Sequence, residues 1–122
     1  MNALTVKETA MTTTTSEAFI LVAGMTTVPP AGKYAVLFSA SVSSTASDAD
    51  CNLSIFVGNT EQPDSTRKVF GDSDGRAPDL KLTVFTQSVV EMDGNKAVNV
   101  RWKTAKGVFK MFARNLLLFP VV

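Results

Sequence analysis

From Lys33 to Ser43 the chain alternates: Tyr34, Val36, Phe38, Ala40 and Val42 fall on one side, and Ala35, Leu37, Ser39, Ser41 and Ser43 on the other. A period of two is the signature of a strand with one face on a core. Further along, Cys51, Leu53, Ile55 and Val57 point one way and Asn52, Ser54 and Phe56 the other. Leu80, Leu82 and Val84 oppose Lys81, Thr83, Phe85 and Gln87, and Val98, Val100 and Trp102 oppose Asn99, Arg101 and Lys103. The segment 16–24 is apolar on both faces, which predicts a strand covered on both sides. The last segment, VFKMFARNLLLFPVV, predicts a long strand with a bulge near Arg114–Asn115, where the alternation slips.

Turn chemistry separates these segments. MTTVPPAGK combines two prolines with a glycine, NTEQPDS and TAKG are short polar links, and GDSDGRAPD at 71–79 cannot continue any strand. Asp93-Gly94 is a hairpin signal. No stretch repeats apolar residues at helical spacing. Seven or eight strands with a turn every 8–14 residues or so predict an all-β sandwich or barrel.

Residues 1–15 read differently. Leu4 and Val6 alternate briefly, but ETAMTTTTSE has no core-forming face and is expected to be an extended arm. The domain boundaries that follow are 1–15 for the arm and 16–122 for the sandwich.

Composition sharpens this picture at a few points. A chain of 122 residues supports one core. Hydrophobic residues make up 45% of it, more than a small domain with a wet surface needs, so some apolar surface is expected to be buried against other copies. The net charge of +1 comes from scattered residues, which argues against nucleic acid as a partner. The apolar runs FILVA and LLLF are too short to span a membrane, and the N-terminus lacks the basic start and apolar run of a secretion signal. A single cysteine and the expected absence of export fit synthesis in a reducing compartment.

The search for chemistry yields little. There is no histidine, so no imidazole-based triad, dyad or metal ligand exists. Cys51 begins an alternating strand as an inward residue and is expected to pack as a small hydrophobe. Asp72 and Asp74 in DSDG resemble the start of a calcium loop, but Arg76, Ala77 and Pro78 follow where further oxygen ligands belong. Asp48 and Asp50 are read as loop residues for the same reason. Glu61, Asp64, Glu91 and Asp93 all lie in or beside turns, where carboxylates serve local hydrogen bonds. No enzymatic function and no cofactor are expected. Tyr34 and Trp102 sit on inward faces. Leu37, Phe56 and Phe85 lie opposite the apolar stripe of their strands, which marks them as candidates for burial between subunits. Arg101 and Arg114 stand in otherwise apolar segments, where each needs a carboxylate or carbonyl partner. Either could face solvent or bridge subunits.

The order Gly24–Thr26, then Pro29 to Tyr34, Phe38–Ala40, Val98–Trp102, Gly107 and Arg114–Leu118 resembles small jelly-roll proteins of tailed-phage virions. The pattern extends over roughly residues 15–122 and is similar in topology to the trimeric tumour-necrosis-factor and complement globular-head fold. The resemblance implies an antiparallel jelly-roll β-sandwich of about eight strands and a homotrimeric virion component on the capsid surface. Two roles stand open. A capsid decoration (cement) protein would clamp major capsid subunits, with Leu37, Phe56, Phe85, Arg101 and Arg114 at the trimer interface. Its arm residues Leu4, Val6, Thr12, Thr13, Thr14 and Thr15 would lie on the capsid. A fibre head would instead bind a receptor or glycan through loops at 43–50, 59–65 and 71–79.

Overall fold

Inward apolar stripes at strand spacing can be buried only by stacking one sheet on another. The computed structural model does this, and describes residues 2–44, 49–70 and 81–122. Its strands are β1 (Leu4–Glu8), β2 (Thr12–Thr14), β3 (Ile20–Thr27), β4 (Gly32–Ser44), β5 (Asp50–Val57), β6 (Thr60–Glu61), β7 (Arg67–Phe70), β8 (Leu82–Met92), β9 (Val98–Thr104) and β10 (Phe109–Pro120). A short 3₁₀ turn, Pro63–Ser65, lies between β6 and β7.

One sheet runs β1-β10-β4-β8, with β2 also on β10; the other runs β3-β9-β5, with β6 and β7 both on β5. All pairings are antiparallel. From β3 to β5, and again from β7 to β10, each connection crosses from one sheet to the other. That repeated crossing makes the sandwich a jelly roll.

The core lies between the sheets. Tyr34, Val36, Phe38, Val42, Leu116 and Leu118 meet Leu53, Ile55, Val100 and Trp102, all essentially inaccessible to water. Burying each such side chain contributes roughly 1.5–3 kcal/mol before chain entropy is subtracted. Tyr34 keeps its hydroxyl satisfied in this apolar setting by donating to the Pro30 carbonyl at 2.9 Å. On β8 the inward positions Thr86 and Ser88 are polar and still covered. Thr86 Oγ1 donates to the Ser65 carbonyl, and Ser88 Oγ to the Asp64 carboxylate at 3.0 Å, so the 3₁₀ turn caps them.

Three local expectations change. Asp93-Gly94 does not close a hairpin, because β8 and β9 belong to different sheets. Asp93 Oδ1 accepts the Asn95 and Lys96 amides at 2.8 and 3.1 Å, and Gly94 takes a positive φ of 88°. The turn chemistry is as read, but the inward faces of both strands must meet the core from opposite sides. Second, segment 16–24 is not covered on both faces: β3 is an edge strand, and Ile20 and Leu21 are 42% and 45% exposed. Third, the N-terminal residues do not stand apart from the sandwich. β1 pairs with β10 from Leu4↔Leu118 to Glu8↔Arg114, and β2 continues along the same strand from Thr12↔Met111 to Thr14↔Phe109. Leu4 and Val6 pack against the core and Thr14 is buried. Backbone pairing to a long neighbour supplies what the side chains of TTTT cannot.

Arg114 holds this corner together. Met111 pairs with Val42 but Arg114 pairs with Ala40, so β10 carries one extra residue at the bulge. On β3, Leu21 pairs with Arg101 and Thr26 with Asn99, a larger irregularity centred near Gly24, whose φ is 82°. These departures free backbone carbonyls. The Arg114 guanidinium, only 4% exposed, collects them: Nε and Nη2 donate to Ala23 O at 3.1 and 2.9 Å, and Nη1 donates to Ala10 O and Phe112 O, each at 2.8 Å. One planar fork thus ties β3, the N-terminal strands and the bulge of β10.

Arg114→Ala is therefore expected to cost about 2–4 kcal/mol in urea unfolding, since a buried side chain is removed and three part-buried carbonyls lose their donor. Arg114→Lys should recover only part, because an ammonium cannot reproduce the fork. A loss below about 1 kcal/mol would show that water replaces the guanidinium.

Candidate assembly surface

The outer face of the β1-β10-β4-β8 sheet follows from the same alternation that fills the core. In register across β10, β4 and β8 lie Leu117, Leu37 and Gln87; beside that row lie Phe119, Ala35 and Val89; on its other side lie Asn115, Ser39 and Phe85. Phe85, Val89 and Phe119 are each about half exposed, at 48%, 56% and 46%. The apolar cluster has a polar margin of asparagine, serine and glutamine. Such a patch on a small domain marks an interaction surface.

The adjoining edge is unusual as well. Sheet edges usually carry features that discourage strand addition. β1 is short and carries Lys7 and Glu8; β3 is bulged, with its Ala23 carbonyl taken by Arg114; β6 and β7 span only two and four residues. β8 has none of this. It runs eleven residues in unbroken register with β4, contains no glycine or proline, and carries only Glu91 as a charge. A notch of about 290 Å³ sits along it, lined by Ala35, Leu37, Gln87, Ser88 and Val89 with Asp64 and Arg67. Arg67 Nη1 donates to the Asp64 and Thr66 carbonyls, both at 3.0 Å.

The residues singled out in the sequence divide into two groups. Leu37 and Phe85 lie on the apolar outer face, together with Val89, Leu117 and Phe119, which the reading missed although their places in the alternation were available. Phe56, Arg101 and Arg114 have partners within the chain instead. Phe56 is 5% exposed, with the Phe19 ring 5.2 Å away edge-on and the Arg101 guanidinium 4.5 Å from its centroid. Arg101 Nε donates to Asn99 Oδ1 at 2.8 Å, and its Nη2 to Gly58 O and Asn59 Oδ1 at 2.9 and 2.8 Å. Both arginines find the oxygen partners they need, all in their own chain. Of the arm residues, Leu4, Val6 and Thr12 are half-buried, Thr14 is buried, and Thr13 and Thr15 are exposed.

Titratable groups are few and local. Cys51 is fully buried, and burial pushes its thiol up to about 12, with the Asp50 charge adding to the rise against the Lys103 amide. Glu8 Oε1 accepts the Ala10 and Thr9 amides, both at 2.9 Å, which hold its carboxyl below the usual range; the Arg114 charge adds a smaller pull. Glu61 accepts from Thr66 Oγ1 at 2.6 Å. Among the described residues no three potential ligands cluster as a metal site. Asp48, Asp72 and Asp74 lie outside the described residues.

No protein-family model matches the chain, and no curated protein matches it. Solved structures do match in fold. The VP2 subviral particle of infectious bursal disease virus superposes with a TM-score of 0.64 at 9% identity over 97% of this chain. The chain spans only 32% of that VP2 chain. The globular domain of zebrafish complement 1qA gives 0.63 at 11% identity, covering 100% of this chain and 98% of that one. The PRD1 vertex protein P5 gives 0.60 at 10%, covering 99% and 97%. At such identities the likeness is one of fold, a jelly roll shared by viral capsid proteins and complement-type globular heads.

Cys51 should resist alkylation at pH 8 in the folded protein and react fully in denaturant; rapid modification of the native form would contradict its burial. The Glu8 carboxyl has a folded-state pKa below its ordinary 4.5. Its stabilising effect is therefore complete above that value and is lost as pH falls through the lower folded one. Glu8→Gln should flatten this part of the acid limb in a stability–pH profile, and an unchanged limb would sink the assignment.

Proposed function

We propose that the chain is a structural virion protein, a capsid decoration (cement) protein that acts as a homotrimer and clamps neighbouring major capsid subunits. The observation that carries this reading is the apolar outer face of β1-β10-β4-β8 beside the β8 edge, which pairs with no other strand among the described residues. These are two unlike surfaces. A patch that meets a different patch on the next copy generates a ring when the rotation closes, and the resemblance to trimeric heads implies closure at three. Leu37, Phe85, Val89 and Phe119 form the seat in this arrangement.

The capsid contact falls to the N-terminal strands in altered form. With β1 and β2 folded onto β10, what remains to meet the capsid is a set of exposed side chains, Thr5, Lys7, Thr13 and Thr15, in place of a free strand. Three such sets per trimer combine modest contacts by avidity. A receptor- or glycan-binding head is the second reading, favoured by the match along nearly the full length of the complement globular domain and the PRD1 vertex chain. Neither reading uses a cofactor or a catalytic group.

Sedimentation of the purified protein at micromolar concentration should give a trimer. Val89→Lys, which places a charge in the apolar seat without touching the core, should raise the dissociation constant about thirtyfold or more while leaving the monomer folded. Occupancy on empty shells lacking the protein should fall in parallel. A wild-type chain that stays monomeric would remove the self-association, and full occupancy by a monomeric variant would remove the avidity argument.

A further inference from the structure

Arg101 lies on the outer face of the β3-β9-β5 sheet, in register with Leu21 on one side and Ser54 on the other. Asn99, two residues earlier, stands between Thr26 and Phe56. A recess of about 290 Å³ opens here, with Leu21, Thr26, Gly58, Asn59, Asn99 and Arg101 in its wall. Its size is at the small end of ligand sites. Ala49 and Phe70, which adjoin segments outside the described residues, flank the opposite end of β5.

The guanidinium is fixed in this wall. Its Nε donates to Asn99 Oδ1 at 2.8 Å, and its Nη2 to Gly58 O and Asn59 Oδ1 at 2.9 and 2.8 Å. Buried Asn99 is anchored in turn, because its Nδ2 donates to the same Gly58 O at 3.0 Å. The Phe56 ring backs the group, with its centroid 4.5 Å from the central carbon. These contacts use three of the five N–H donors of a guanidinium. Both N–H groups of Nη1 have no acceptor among the described residues. The acceptors in use are all neutral oxygens. Among the described residues Arg101 forms no ion pair, and no carboxylate lines the recess. Acidic side chains on the adjoining elements are engaged locally. Glu61, beyond Phe56, accepts from the Thr66 hydroxyl, and Asp93, in the turn before β9, accepts the Asn95 and Lys96 amides. Glu17 lines a separate cleft beside Lys103. A rigidly held cation that no carboxylate balances is preorganised for an anion.

The donors and the walls select the anion. Arg101 Nη1 and the Asn59 amide nitrogen supply donors for the two oxygens of a carboxylate, whereas a phosphate presents three. Leu21, which is exposed, adds an apolar wall, and Thr26 adds a hydroxyl. We infer that this recess binds the carboxylate of an acidic saccharide of the sialic-acid type. The carboxylate meets Arg101, the acetamido methyl packs on Leu21, and ring hydroxyls reach Asn59 and Thr26. An aspartate or glutamate side chain from a protein carries the same charge but leaves Leu21 and Thr26 unused. The inference rests on the glycan-binding reading above and names its ligand class. The recess lies on the sheet opposite the assembly face and does not depend on self-association.

The test is an NMR titration of the intact protein with sialyllactose, lactose, inorganic phosphate and an acidic peptide. Sialyllactose at millimolar concentration should shift the amides of Leu21, Thr26 and Asn59 and the Arg101 Nε–H, less so in high salt, and lactose should not. Arg101→Lys keeps the charge but loses the fork, and should weaken binding about tenfold or more. Leu21→Asp sets a carboxylate beside Arg101 at an exposed position, and serves where Arg101→Lys disturbs the fold; it should abolish binding. Val89→Lys, on the other sheet, should leave affinity unchanged. Equal or tighter binding of phosphate or the peptide at these residues would overturn the proposal, as would full affinity in Leu21→Asp. Lactose shifting other loops while sialyllactose leaves these amides unmoved would remove this site and keep the glycan-binding reading. No shift from either sugar would remove both.

Discussion

The structure depends on one buried guanidinium. Arg114 sits beside the β1–β3 side of the sandwich, and its donors reach both sheets at once, Ala23 on β3 and Phe112 on β10. Without a donor there, the bulge in β10 and the distortion of β3 would each leave part-buried main-chain oxygens short of a partner, and such carbonyls are costly to leave unpaired. A bulge bends and twists the strand that carries it. β1 and β2 follow one edge of β10 on either side of this bulge, while the register with β4 slips by one residue between them. The arginine permits the irregularity, and the irregularity shapes the N-terminal edge.

Much of this was legible in the sequence. The period-two segments from Tyr34, Leu53, Val84 and Val98 onward give the inward faces correctly, because a side chain on a strand has only two directions to take. The bulge near Arg114 was visible as a slip in the same period. The partners of the strands were not legible. Asp93-Gly94 carries the local chemistry of a tight turn whether the next strand pairs or crosses, so it cannot distinguish a hairpin from a sheet change. The N-terminal segment failed for a related reason. Leu4 and Val6 mark its first strand, but its threonines offer a core little, and their place is fixed largely by backbone bonds to β10 that leave no mark in side-chain type.

The surroundings of the outward residues were legible only in part, for a different reason. Phe56 and Phe85 look alike in the alternation, each opposite its strand's apolar stripe. What separates them is the turn-rich chain before β3, which brings Phe19 over Phe56 while Arg101 covers the other side. Among the described residues nothing comparable reaches Phe85. The requirement for oxygen partners at Arg101 and Arg114 was sound, but it does not say whose oxygens serve, and local carbonyls supply them at no cost in association entropy.

That asymmetry accounts for the apolar surplus in the composition. On the β3-β9-β5 sheet, outward aromatic residues are matched with cations: Arg101 on Phe56, Lys103 on Phe19 and Lys68 on Phe70. Each pair lets a ring stand near water while a charged head keeps the face hydrated. On the other sheet, Lys81 over Phe112 repeats the device at one end, but among the described residues no such cover lies over Leu37, Phe85, Val89, Leu117 or Phe119. A chain that needed only solubility could have placed cations there at little cost, since outward strand positions do not constrain the core. Their absence on one face of the described structure, against their regular use on the other, is the physical difference between the two sheets on which the proposed self-association rests.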